Sequence, residues 1–148
     1  MDATTTLEEL TEGPLERAHV QRRVDDWAAR LDALYADIEA WLPPGWTARP
    51  GRPATMDEGP MREVGIAARE LPTLEVLAGQ EVRLTVRPEA LWIIGLNGRL
   101  VLVRRGEIFF VSDIAHLFER PIWELVPMSD RSDEKPFDQR SFRDLVAR

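Results

Sequence analysis

The sequence predicts an α+β domain: a long N-terminal helix packed on an antiparallel β-meander of about five strands, finished by a short C-terminal helix. Three observations lead there. Val20, Val24, Trp27, Leu31, Leu34, Ile38 and Trp41 recur at alternating spacings of four and three residues, the seam of a helix with one apolar stripe. From Thr73 onward the apolar period switches to two, as in "EVRLTVR", the alternation of a strand with one buried face. The stretch "LWIIGLNGRLVLVRRGEIFFV", residues 91 to 111, is dominated by Leu, Ile, Val, Phe and Trp, so a sheet built from it is apolar on both sides.

The helix is expected from about residue 17 to 42. Ala28, Tyr35 and Leu42 widen its stripe, which suits packing on a sheet better than a narrow coiled-coil seam, although the heptad spacing also admits dimerisation through the helix. It must stop at "WLPPGW", where two prolines break the hydrogen-bond ladder and Gly45 lets the chain turn. Residues 43 to 60 are rich in proline and glycine without periodicity and read as a long loop. "MREVGIAAREL" can form a short helix ended by Pro72.

"PTLEVL", "EVRLTVR" and "PIWELVP" read as strands flanking the apolar centre. Asn97-Gly98 is the strongest local hairpin signal, since both residues tolerate the positive φ of a type I′ turn. With that turn, Leu96 faces Arg99, Ile94 faces Val101 and Trp92 faces Val103. Arg105-Gly106 supplies the next turn, pairing Arg104 with Glu107, Val103 with Ile108, Leu102 with Phe109 and Val101 with Phe110. The sheet centre then needs two covers. The long helix is one. The short helix in "PFDQRSFRDLVAR" is the other candidate, with Asp138 as N-cap and Phe137 and Phe142 as a hydrophobic staple. It offers too little apolar surface to hide a face, leaving room for a partner or a second copy.

Composition bounds the function. A chain of 148 residues, 44% apolar and 30% charged, is expected to fold as one domain, with residues 1 to 13 as a flexible tail. It has no cysteine, which excludes disulfides, thiolate metal sites and cysteine nucleophiles. The acidic, polar start lacks the features of a signal peptide, so the expected location is the cytoplasm. Arginine supplies every base except Lys135, a codon-bias pattern of a GC-rich, bacterial genome. The net charge is −7, and residues 1 to 45 hold ten acids against four arginines. Such a surface repels polyanions and attracts basic proteins. Glu8, Glu9, Asp25, Asp26 and Asp32 are its candidate binding residues.

No motif for catalysis stands above background. In "SDIAHLFER", Asp113, His116 and Arg120 would share a face if the segment were helical, and Asp113 with His116 could then ligate a metal or orient a base. The bland alternative makes Asp113 a turn cap and His116 a surface residue. A restriction-like nuclease site is rejected, since "IFFVSD" lacks the required Glu-x-Lys. Phosphate-binding glycine loops and G-x-S-x-G are absent. Arg83, Arg87, Arg99, Arg104 and Arg105 could make a basic stripe, with Arg83 and Arg87 the best placed to bind, but Glu81, Glu89 and Glu107 offset it and nucleic acid is not the expected ligand. No metal or cofactor is expected.

These readings favour a non-catalytic protein–protein interaction module: an acidic immunity- or antitoxin-like partner of a basic protein, or an accessory subunit of a larger complex. The alternative is a small enzyme or ligand-binding domain using Asp113, His116 and the 43 to 60 loop.

Overall fold

In a computed structural model, which describes residues 16 to 147, the helix α1 spans Arg17–Trp41. The heptad seam is its buried side: Val20, Val24, Leu31 and Ile38 have no solvent exposure. Dimerisation through that seam is therefore ruled out by the sheet that occupies it. The helix gives way at Leu42, one residue before the two prolines.

Among the described residues nine strands follow: β1 (Trp46–Pro50), β2 (Ala54–Met56), β3 (Arg69–Leu71), β4 (Leu74–Ala78), β5 (Glu81–Ile93), β6 (Leu96–Arg104), β7 (Glu107–Asp113), β8 (Trp123–Pro127) and β9 (Lys135–Pro136). A one-turn helix α2 (Gly59–Glu63) lies between β2 and β3, and α3 (Gln139–Ala147) ends the chain. Seven strands, rather than about five, form one antiparallel sheet in the order β1-β4-β5-β6-β7-β8-β9, and β2 with β3 makes a separate ribbon. The architecture is α+β, as the sequence predicts.

Two expectations need correction. Residues 43 to 60 are not a loop. Their proline-rich segment contributes β1, which pairs with β4, then β2 and the start of α2. Both strands lie at sheet edges, where proline's missing N–H does not interrupt a ladder. Nor is Asn97-Gly98 the hairpin turn. The turn is Ile94-Gly95, with Ile93 paired to Leu96 and Trp92 to Asn97. Gly95 has φ 80°, the positive value a type II turn requires at its second central position. Gly98 is a strand residue with φ 101°, and an added Cβ there would lie 2.6 Å from Cη2 and 2.7 Å from Cε3 of Trp27. This glycine exists for a close approach by α1, not for a turn.

The predicted β6–β7 register is observed pair for pair, from Val101↔Phe110 to Arg104↔Glu107. Arg105 and Gly106 both have positive φ, 49° and 81°, the signature of a type I′ turn.

The three described helices pack on one side of the sheet. Their buried apolar residues join Leu74, Val76, Leu84, Val86, Leu100, Leu102, Phe109, Val111 and Leu125 in a single cluster. The N-cap of α3 forms as predicted, with the Ser141 N–H donating to Asp138 Oδ1 at 3.0 Å and the Phe137 and Phe142 rings meeting edge to face at 6.4 Å; the Asp138 N–H donates back to Ser141 Oγ at 2.9 Å, a bond not among those expected from the sequence. However, α3 packs beside the end of α1, with both phenylalanines against Trp41. It adds to the cover already present and does not cover the second face. Among the described residues no helix is long and apolar enough to cross a membrane.

Candidate functional site

Three places merit chemical scrutiny: the segment after β7, a cleft at the bulge of β5, and the sheet face turned away from the helices.

Asp113 closes β7, and the segment 114 to 122 that follows is irregular rather than helical. The expected shared face of Asp113, His116 and Arg120 therefore does not form. Asp113 is fully buried and His116 exposed. One carboxylate oxygen, Oδ1, accepts the N–H groups of Ala115 and Ile122, each at 3.0 Å. The other, Oδ2, accepts from Arg30 Nη1 at 2.5 Å. Arg30 itself is 5% exposed; its Nε donates to Asp26 Oδ2 at 2.6 Å and its Nη2 to the backbone oxygen of Glu119. One aspartate thus pins both ends of the segment, and one arginine ties its middle to α1. Phe118, in left-handed backbone with φ 62°, stands edge-on to His19 at 5.9 Å and lies under the Arg22 guanidinium at 3.6 Å. Asp113 has its acceptor capacity committed to structure, and the sequence signal for it was the turn-capping alternative.

The second place is a cleft of about 190 Å³ lined by Trp27, Met56, Glu58, Leu71, Pro88 and Ala90. The β5–β6 register shifts between Pro88 and Ala90, a bulge that leaves later N–H groups seeking acceptors. Glu58 provides them: its carboxylate accepts from Leu91 N at 2.9 Å and Trp92 N at 3.1 Å. Behind it, burial lowers the pKa of Arg23, an effect opposed by the charges of Glu58 and Asp26. Arg23 lies 5.2 Å from the Trp92 ring and reaches Asn97 Oδ1 at 3.5 Å. Glu58 thus holds backbone, while Arg23 Nε and Asn97 Nδ2 are buried without a hydrogen-bond partner among the described residues. Among the described residues no three His, Cys, Asp or Glu side chains come together to hold a metal.

The third place is the far side of the sheet. Val101, Val103, Ile108 and Val126 are half-exposed there and neither belong to the core cluster nor pack on it. Phe110, paired with Val101 and Val126, is buried at their centre, with the guanidinium groups of Arg99 at 4.3 Å and Arg131 at 4.7 Å over its ring.

The candidate binding residues are dispersed. Glu8 and Glu9 lie outside the described residues. Asp25 is exposed and paired with Arg69 at 2.6 Å; Asp26 belongs to the Arg30 tie; Asp32 is exposed. Arg83 is half-buried, 3.4 Å from Glu81 and 5.7 Å from the Trp46 ring centroid, while Arg87 is exposed opposite Val101. The arginine stripe is not continuous, because strand alternation sends Arg104 to the helix side. There it is buried, donating to the backbone oxygen of Leu145 and to Glu107. Arg30, not singled out from the sequence, donates to Asp26, Asp113 and the Glu119 backbone oxygen and is as central to this segment as Asp113. An arginine one position before Leu31 in the apolar seam was the available signal.

No protein-family model matches the chain, and no curated protein or solved structure matches it either.

Proposed function

We propose that this chain is a non-catalytic module that binds another protein, as an acidic immunity- or antitoxin-like partner or an accessory subunit does. The observation supporting the reading is the sheet face with no described helix over it: Val101, Val103, Ile108 and Val126 are half-buried there around Phe110, whose ring lies under the guanidinium groups of Arg99 and Arg131. Contiguous apolar surface rimmed by charge is typical of a protein interface. The groups with chemical potential, Asp113, Glu58 and Arg30, are occupied by hydrogen bonds that hold the fold, which favours binding over catalysis. The −7 net charge further favours a protein over a nucleic acid.

The test is isolation of the tagged chain from its source cells, compared with a Val101→Ser, Val103→Ser, Ile108→Ser triple variant. The expected result is a stoichiometric protein complex that the triple variant loses while keeping its fold. Retention of every partner by the variant, or recovery of the chain alone, overturns the reading.

A further inference from the structure

The outward side of α1 is electrically polarised. Near its start Arg22 is exposed, and the neighbouring acids Asp25 and Asp26 are neutralised by Arg69 and Arg30; Asp32, Asp37 and Glu39 are exposed in its second half, and Ala29, Ala33 and Ala36 line the surface from its middle onward. Among the described residues neither Arg22 nor any of the three acids of the second half has an oppositely charged side chain within salt-bridge distance. Beside the basic end stands the segment 114 to 122, brought there by Phe118 under Arg22. It exposes Ile114 at 45%, Leu117 at 42% and Ile122 at 56%, three large apolar side chains on one short stretch. Arg120, also exposed, lies in the same stretch.

Such a segment has two costs. Apolar side chains are left in water, and a non-glycine residue is held at positive φ. The buried Arg30–Asp113 pair and two backbone hydrogen bonds to Asp113 hold it in that form. A surface fixed in advance loses less entropy when it docks.

We propose that the outer side of α1 and the 114 to 122 segment together form a two-fold interface with a second copy of this chain, the two α1 helices running antiparallel. This rests on the interaction-module reading and names one partner for one surface; the open sheet face remains for another protein. Antiparallel alignment sets Arg22 of each copy against the acidic half of the other helix, so the charge pattern complements itself. It also opposes the helix dipoles favourably. With Arg22 opposite Asp37, the crossing falls near Ala29, where a small side chain lets the backbones approach. The apolar segment of each copy then covers the alanine-lined second half of its neighbour. The arrangement closes on itself, as a two-fold requires, and does not propagate into chains.

The test is sedimentation of the purified full chain over a wide concentration range, with variants and a cross-link. Wild type is expected to dimerise with an affinity that falls as salt is added. Leu117→Asp and Arg22→Glu should each weaken the dimer at least about tenfold. Combining Arg22→Glu with Asp37→Arg should restore affinity, because the charge pattern is again self-complementary. The chain has no cysteine, so Ala29→Cys should form a disulfide-linked dimer on oxidation. A monomer at every concentration overturns the proposal. So does a dimer indifferent to Arg22→Glu and Leu117→Asp, or one that Ala29→Cys does not cross-link. A monomer that still captures a protein through Val101, Val103 and Ile108 defeats this inference alone. A dimer that captures nothing defeats the sheet-face reading and leaves this one standing.

Discussion

Arg30 and Asp113, 83 residues apart in sequence, meet through Nη1 and Oδ2 at 2.5 Å with 5% and 0% of their side chains exposed. Removing one partner from such a pair strands a buried charge. Arg30→Met is expected to destabilise the fold by about 3–5 kcal/mol, read from urea unfolding. Asp113→Asn should do so as well, and in either variant amide exchange should rise most at Ala115 and Ile122. If those amides stay protected, the pair does not hold the segment.

Gly98 and Gly95 separate sterics from turn geometry. Gly98→Ala places a methyl group inside the Trp27 ring and should cost about 2–4 kcal/mol. Gly95→Ala meets nothing within 4 Å and bears only the strain of its φ, about 1–2 kcal/mol. A shared Gly98→Ala, Trp27→Leu variant should show coupling, since the smaller side chain relieves the overlap. Equal losses for the two glycine variants would contradict the packing described for α1.

The two faces of β6 should respond differently. Leu102→Ala removes a fully buried side chain from the core cluster and is expected to cost about 2–5 kcal/mol. Val103→Ser, one residue on and half-exposed, should cost roughly 1 kcal/mol or less in the isolated chain. Similar losses at both positions would mean that the second face is covered after all.

Tyr35 makes stability sensitive to alkaline pH. Its hydroxyl donates to the Pro72 backbone oxygen at 2.7 Å, and burial, assisted by the charge of Asp32, pushes its pKa well above the ordinary tyrosine value. The raised value means that the neutral form is favoured by folding. That stability is fully present below about pH 10, the unfolded value, and is lost as pH rises above it. Tyr35 is the only tyrosine, so absorbance near the phenolate band reports it alone. Its ionisation should coincide with unfolding, and Tyr35→Phe should flatten the stability profile above that pH. Titration at the ordinary value in a folded chain would exclude this.

Where local rules were sufficient, the sequence alone determined the outcome. The 3.6-residue period of Val20 to Trp41 and the prolines after Leu42 defined α1. Alternation defined the first half of β5, which continues through Pro88 into what the sequence offered as a separate strand; the positive-φ pair Arg105-Gly106 defined the β6–β7 turn and register, and Asp138 with the Phe137–Phe142 staple defined the start of α3. Each depends on backbone preferences and side-chain direction within a few neighbouring residues. Other features were decided by residues distant in the chain. Asn97-Gly98 has the chemistry of a turn, yet Trp27 needs the space above Gly98, and that approach outweighs local preference and moves the turn to Ile94-Gly95. The proline-rich stretch has no periodicity of its own and becomes strand only because β4 and β3 offer their edges to β1 and β2. Asp113 and His116 look alike in spacing to a site, but burial beside Arg30 commits one carboxylate to three hydrogen bonds and leaves the imidazole in solvent. Hydrogen-bond satisfaction in a buried environment is settled by what the whole fold brings within reach, and no window of sequence contains it.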